Sequence, residues 1–461
     1  MSILGAVAVP HPPIILPEVG HGEEVKIKDT VQAYRAVMRR AAALRPDTVV
    51  LISPHAVLYR DYFHIAPGGE ARGDLRQFQA KDVSLRVRYD EAFVGTLSAL
   101  AQTCGLPAGT EGERDPALDH ATLIPLRFFE EYCRDYRLVR VSLSGLSPRE
   151  HYRLGQCIAQ AAERLNRRVL VIASGDLSHK LAPEGPYGYA PEGPEFDRRV
   201  TRALSDGDFL SLLRLSPALA DAAAECGLRS FQIMAGALDG LTVDSRLLSY
   251  EGPFGVGYGV AEFPVTGKEE SRRFLPQYDA AAAAELRERR AGEDAWVRLA
   301  RLSLETCVKG VEPASPRVGL PAELQSTRAG AFVSLKKDGR LRGCIGTIAP
   351  VCDSLAQEIM LNAVSAGTRD PRFSPVTAEE LPELVYSVDV LGEPEPVDGP
   401  EQLDVRRYGV IVSSGRRRGL LLPDLAGVDS VDQQIAIARQ KAGIPPQAPV
   451  TLERFEVVRH H

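Results

Sequence analysis

Two six-residue runs, TVVLIS at 48–53 and VLVIAS at 169–174, carry no charged side chain and do not alternate polar with apolar. A strand of that composition has no face to offer water, so it must be covered on both sides. Similar runs fall at 3–10 and 138–144, and further strand candidates at 246–250 and 255–263. Helix-length segments at 23–45, 90–103, 121–133, 150–166, 195–205 and 228–239 lie between or beside them. The first half is therefore expected to be α/β, with a central, largely parallel sheet flanked by helices. In such sheets the strand C-termini share one edge, and ligands bind outside it.

A chain of 461 residues is too long for one ordinary core. Strand patterning stops near 265, where a polar, Ala-rich stretch begins. We therefore expect a first domain at 1–265, a linker at 266–284 and a second domain at 285–461. The second is read as α+β. Its helices are expected at 292–309, 353–366 and 430–442, and its strands at 330–336, 344–348, 384–391, 408–413 and 418–422. Apolar and charged fractions of 44% and 25% are those of a soluble globular protein. A net charge of -6 gives no electrostatic footprint for nucleic acid. No apolar run approaches the ~20 residues of a membrane span. The apolar N-terminus is interrupted by Pro10, Pro12 and Pro13 and reads as a first strand, not a secretion signal. Seven scattered cysteines without a CxxC pair indicate neither a zinc site nor a disulfide framework, and a reducing cytoplasm is the expected compartment.

Seven of the nine histidines lie between residues 11 and 179, and the other two are the terminal His460 and His461, which read as a tag remnant. Imidazole chemistry therefore belongs to the first half. His11 and His55 follow the first two strands, His179 follows the run at 169–174, and His120 opens a helix. Glu251 ends RLLSYE. Two neutral imidazoles and a carboxylate on one face of Fe(II) leave positions open for substrate and O₂. Further histidines can carry protons near neutral pH. A single histidine at a strand end is ordinarily a satisfied loop residue; four at one edge of one sheet suggest a shared pocket.

The strings PHPP (10–13), SPHA (53–56), DHATLIPL (119–126) and SGDLSH (174–179), in this order, resemble the signatures of the class III extradiol dioxygenases, a superfamily that includes the Memo proteins. The resemblance implies Fe(II) held by His11, His55 and a late glutamate, here Glu251, with Asp176 and Glu262 as substitutes. Some Memo proteins replace the carboxylate with cysteine, for which Cys226 is the nearby option. It also implies His179 as acid/base and His120 beside substrate and oxygen, with a catechol-like diol opened by O₂. Asp176 either orients His179 or caps its own turn. The segment GPYGYAPEGPEFD (185–197), with Tyr187 and Tyr189, reads either as a substrate-covering loop or as an ordered structural one.

In the second half, LKKDGRLRGCIGT (335–347), TRDPRFSPVTAEEL (368–381) and GLLLPD (419–424) resemble the AMMECR family. Arg342, Cys344, Arg369, Asp370 and Arg372 are the candidate pocket there. Their other reading is a small buried cysteine with structural ion pairs. With no histidine between 180 and 459 to act as base, a binding or auxiliary role is expected. AMMECR-like and Memo-like proteins occur with a radical-SAM protein in the AmmeMemoRadiSam system. This chain resembles a fusion of the first two components, and it lacks a CxxxCxxC motif, so a radical-SAM partner would be a separate chain. Three readings follow: an iron-dependent ring-cleaving or related oxygenase, a metal-handling component acting with that partner, and a non-catalytic binding protein. A homo-oligomer is compatible with each.

Overall fold

The computed structural model describes residues 2–113, 117–311, 319–337, 339–425 and 427–461. The chain divides into two compact units, Met1–Ala281 and Ala282–His461. Among the described residues, no helix is long and apolar enough to cross a membrane.

The first unit is built on strands β1 (Ile3–Val9), β2 (Thr48–Ser53), β3 (Arg137–Ser142), β4 (Val169–Ser174), β5 (Arg246–Glu251) and β6 (Tyr258–Lys268). Their order is β5-β6-β1-β4-β2-β3. The four strands β1, β4, β2 and β3 run parallel, while β6 and β5 close one side antiparallel. The C-termini of the parallel strands, at Val9, Ser53, Ser142 and Ser174, therefore form one edge.

The apolar runs are buried on both faces, as the absence of alternation requires. Val50, Ile52, Val139, Val141, Val171 and Ala173 point into one core, with Tyr152 and Ile158 of α4 (Pro148–Arg164) and Ile233 of α6 (Leu228–Ala237). Val49, Leu51, Leu138, Leu170 and Ile172 point into the other, with Tyr34 and Val37 of α1 (Lys28–Ala43) and Ile124 of α3 (His120–Phe129). The remaining long helices of this unit are α2 (Glu91–Thr103) and α5 (Glu192–Asp206). A Cβ at Gly155 would lie 2.0 Å from the Ile233 carbonyl, and one at Gly236 would lie 1.9 Å from that of Tyr152. Only glycine lets α4 and α6 approach this closely.

Three features depart from expectation. A polar hairpin, Glu70–Leu75 with Ala80–Arg88, lies beside the sheet. Short helices Phe209–Leu213 and Pro217–Ala223 precede α6. The stretch expected as a linker is the end of β6 followed by α7 (Phe274–Gly292), whose Phe274 is buried in the first core. An Ala-rich polar run has high helix propensity, and one buried aromatic ties it down.

The second unit contains two four-stranded antiparallel sheets. One joins β7 (Ala331–Lys337), β8 (Arg340–Gly346), β9 (Leu384–Leu391) and β14 (Val457–His460) in the order β8-β7-β9-β14. The other joins β10 (Glu395–Val397), β11 (Gly409–Ser414), β12 (Arg417–Leu421) and β13 (Thr451–Phe455) in the order β10-β13-β11-β12. Helices α8 (Ala295–Lys309) and α9 (Leu355–Thr368) share the core of the first sheet, and α10 (Val431–Lys441) shares that of the second. This is the α+β architecture expected. Asp338, inside the string at 335–347, lies outside the described residues.

Candidate metal centre

Four histidines meet at the C-terminal edge of the parallel strands. His11 lies two residues beyond β1 and is buried; His55 lies two beyond β2 and is the more exposed of the two. Their Nε2 atoms are 3.1 Å apart. The His120 ring stacks on His55 with centroids 4.5 Å apart and meets His11 edge-on at 5.4 Å. His120 is placed by its neighbour. Asp119 caps α3 by accepting from the Thr122 amide and hydroxyl, and it also accepts from the Ser53 hydroxyl at 2.6 Å. That bond fastens the helix N-terminus to the end of β2.

His179 approaches from the turn after β4. Its amide donates to the Ala223 carbonyl, and the preceding Ser178 amide donates to Asp197, which also receives the Tyr250 hydroxyl. Tyr187 stacks on the His179 ring at 5.2 Å, and Phe78 packs edge-on against His120 at 5.3 Å. The loop expected to cover substrate thus sends one of its two tyrosines onto the proposed acid/base.

Two further donors stand beside His11. Asp176 accepts from the His11 amide at 2.8 Å, and its second oxygen is 3.9 Å from His11 Nε2. Cys226 Sγ is 3.7 Å from the same nitrogen and accepts from the Asp176 amide at 3.3 Å. The cysteine arrives there because two glycine backbones touch: a Cβ on Gly175 would lie 2.2 Å from Gly227 Cα. The donor atoms of His11, His55 and Cys226 all lie within 4.8 Å of one another, as do those of Asp176, His179 and Cys226.

Glu251 joins neither group. Its carboxylate accepts from both the amide and the hydroxyl of Thr30 at 2.7 Å, in the first turn of α1. There it satisfies a free helix N–H and complements the helix dipole. Glu262 is likewise engaged elsewhere, by Arg40 at 2.7 Å. The structure therefore brings together His11, His55, His120, His179 and Asp176, leaves Glu251 on a helix cap, and adds Cys226. The resemblance named Cys226 as the cysteine alternative to the carboxylate, but the glycine contact that delivers it is long-range.

The electrostatics suit a cation. Burial holds His11 well below the usual imidazole value, and the neighbouring His55, His120 and His179 lower it further. Burial and then His55 lower His120 to about 4, against the pull of Asp119. His179 is lowered by the same two causes, and His55 by burial alone, opposed by Asp119. Burial also raises Asp176 to about 7 and pushes the Cys226 thiol well up. Neutral imidazoles and costly buried anions are what a bound cation relieves. The spacing fits as well. Metal–donor bonds of ~2.0–2.3 Å separate neighbouring donors by roughly 3–3.7 Å.

The candidate pocket of the second unit is arranged differently. Arg342 forms a two-pronged pair with Glu380, both contacts at 2.9 Å. Arg372 pairs with Asp370, which also accepts from the Cys344 amide, and Arg369 donates to the Ser365 hydroxyl. The Ser334 hydroxyl lies 3.3 Å from Cys344 Sγ. Asp370, Arg372 and Cys344 are brought together, whereas Arg342 is turned to Glu380 and Arg369 to its own helix.

Residues 5–261 match the family described as the catalytic LigB subunit of aromatic ring-opening dioxygenase, and residues 297–460 match AMMECR1. A Clostridium acetobutylicum protein is 39% identical, with all of this chain and 99% of that protein covered. A Thermotoga maritima protein is 50% identical over 37% of this chain and 98% of its own length. Among solved structures, an uncharacterized Pyrococcus horikoshii protein is 33% identical and covers 36% of this chain and 89% of its own, with a TM-score of 0.34.

Proposed function

The chain belongs to the LigB family of aromatic ring-opening dioxygenase subunits, with an AMMECR1 domain following, and from that premise we propose that it is an Fe(II)-dependent oxygenase of catechol-like diols. His11, His55 and Cys226 hold the iron, Cys226 standing where Glu251 was expected. The observation that carries the proposal is the convergence of the His11 and His55 Nε2 atoms, 3.1 Å apart, with a third donor beside them. Bound there, iron would supply a Lewis acid and electron conduit for a diol and dioxygen at adjacent positions.

The protein's own groups do the rest. His179 is neutral near pH 7 and takes the proton released by a diol hydroxyl. His120, also neutral, stacks on His55 and meets His11 edge-on, and would offer a hydrogen bond where charge develops. Tyr187 over His179 and Phe78 against His120 furnish aromatic walls for a planar substrate. Asp176 holds the His11 backbone through its amide.

A second reading is favoured by one observation, the thiol in the donor set. Sulfur suits redox-active and softer metals, and a metal-handling component acting with a separate radical-SAM protein would use the same centre without opening free catechols. Metal analysis of anaerobically purified protein, wild type beside His55→Ala, tests both readings. About one iron per chain, lost in the variant, with oxygen uptake on adding catechols, supports the oxygenase. Iron without catechol-dependent uptake selects the second reading. Metal indifferent to His55 rejects the centre.

A further inference from the structure

Each ligand histidine has two ring nitrogens, and only one with a free lone pair can bind a metal. For His11 the surrounding hydrogen bonds decide which. Its Nδ1 is 3.0 Å from the Ser174 hydroxyl oxygen. That hydroxyl donates its single proton elsewhere, to the Ala121 carbonyl at 2.7 Å. It can only accept from Nδ1, so Nδ1 carries the hydrogen and Nε2 keeps its lone pair.

Ala121 is able to take that proton because of α3's own sequence. In an α-helix the carbonyl of residue 121 is paired by the N–H of residue 125. Residue 125 is proline, inside the helix, and has no N–H to give. Pro125 thus leaves a carbonyl open in the first turn of α3. The buried Ser174, at the end of β4, fills the opening.

We propose that Pro125 and Ser174 are positioning residues for the metal-binding nitrogen of His11: the proline frees the Ala121 carbonyl, the carbonyl takes the serine proton, and the serine oxygen holds Nδ1–H, which aims the Nε2 lone pair at His55 and Cys226. The inference rests on the metal centre proposed above, but its first consequence, the tautomer, belongs to metal-free protein. An outer hydrogen bond of this kind is worth about 10–100-fold in metal affinity.

The test uses the full chain labelled with 15N-histidine, free of metal at neutral pH, and reads the His11 tautomer from two-bond nitrogen–proton correlations, with His11→Gln assigning the signal. Wild type is expected in the Nδ1–H form. Ser174→Ala is expected to mix the two tautomers and to weaken anaerobic Fe(II) binding by about 10–100-fold. Pro125→Ala restores an N–H for Ala121 and frees the serine proton to turn toward His11; it should shift the tautomer in the same direction with a smaller loss of affinity. A wild-type Nε2–H tautomer overturns the proposal, as does a folded Ser174→Ala that keeps pure Nδ1–H or wild-type affinity. If Ser174→Ala does not fold, Pro125→Ala decides: an unchanged His11 spectrum overturns the proposal. A wild-type Nδ1–H tautomer without Fe(II) uptake supports this control of His11 and rejects only the metal reading.

Discussion

The histidine pocket and the Cys344 region both gather polar side chains around a cysteine, and they treat their charges in opposite ways. Around Cys344, two cation–anion pairs are closed within the protein, Arg342 with Glu380 and Arg372 with Asp370, and Asp370 also accepts from the Cys344 amide. Pairing holds the Asp370 carboxyl far below its usual range, chiefly through Arg372. In the histidine pocket the groups are turned toward one another without being matched. Four imidazoles are held neutral, a carboxyl is raised to about 7 and a thiol is pushed up, all mainly by burial. A network closed on itself stabilises a fold. One whose donors converge with their lone pairs inward bears a cost that a cation removes.

The largest effect expected from this difference concerns the third donor. Cys226→Ser should remove stoichiometric metal and all metal-dependent turnover, because it takes away a donor and not an outer partner. Glu251→Gln should keep metal and cost about 1 kcal/mol of stability, the usual worth of a capping interaction. Metal analysis and thermal unfolding of the two variants side by side check this. Metal lost in Glu251→Gln but kept in Cys226→Ser would return the site to the carboxylate arrangement first expected.

Next in size is the separation of binding from proton transfer. His179→Ala should retain metal and lose about 10²–10⁴-fold in turnover, the range of a general acid or base. Tyr187→Ala takes away only the ring that stacks on His179 and should leave turnover closer to wild type. Equal losses in the two variants, measured by oxygen uptake, would mean that His179 is valued for its place in the wall and not for its nitrogen.

The outline of the first unit could be read because unbroken apolar runs admit few structures; four strands between two cores follow from TVVLIS, VLVIAS and their kin. The gathering of His11, His55, His120 and His179 could be read for a related reason, since parallel strand ends share an edge. Cys226 could not. It reaches His11 through the contact of Gly175 with Gly227, a pairing across fifty residues that leaves no periodicity in the sequence. Glu251 misled because a strand-end carboxylate looks the same whether it faces a metal or a helix terminus; the Thr30 amide and hydroxyl that hold it are more than two hundred positions away. The hairpin at 70–88 escaped because its strands are polar. The helix at 274–292 begins inside the stretch read as a linker, 266–284, because alanine among charges shows no amphipathic stripe, although it favours helix.

A smaller effect comes from neutral imidazole buried away from the site. His151 is fully buried in α4, its ring held by the Ser147 carbonyl, and burial lowers it to about 3. The unfolded chain takes up a proton near pH 6.5 that the folded one refuses until about 3. Above pH 6.5 this group makes no pH-dependent contribution, and between 6.5 and 3 stability falls as pH falls. Asp176 and Asp197, raised to about 7, act oppositely and gain over the unfolded state as pH drops toward 4, so the wild-type profile is a difference of terms. A variant isolates one of them. His151→Gln should be less stable than wild type at pH 7, but the gap should narrow by on the order of 2 kcal/mol between pH 6.5 and 4.5. A gap that stays constant in denaturant titrations at the two pH values would show that His151 is not neutral in the fold.

The smallest expected effect tests the other half of the comparison. In the second unit the bond from Cys344 to Asp370 uses the backbone amide, so it survives loss of the side chain, and the thiol's hydrogen-bond contact is with the Ser334 hydroxyl. Cys344→Ala should therefore cost about 1 kcal/mol or less and leave metal content and turnover unchanged. Asp370→Asn should cost more, because it removes the charge that neutralises Arg372 and weakens the acceptor of two further N–H groups. If Cys344→Ala instead lowers metal content or oxygen uptake while unfolding is unaltered, the thiol takes part in the chemistry. The second unit's network would then be a site whose charges are matched only until its ligand arrives.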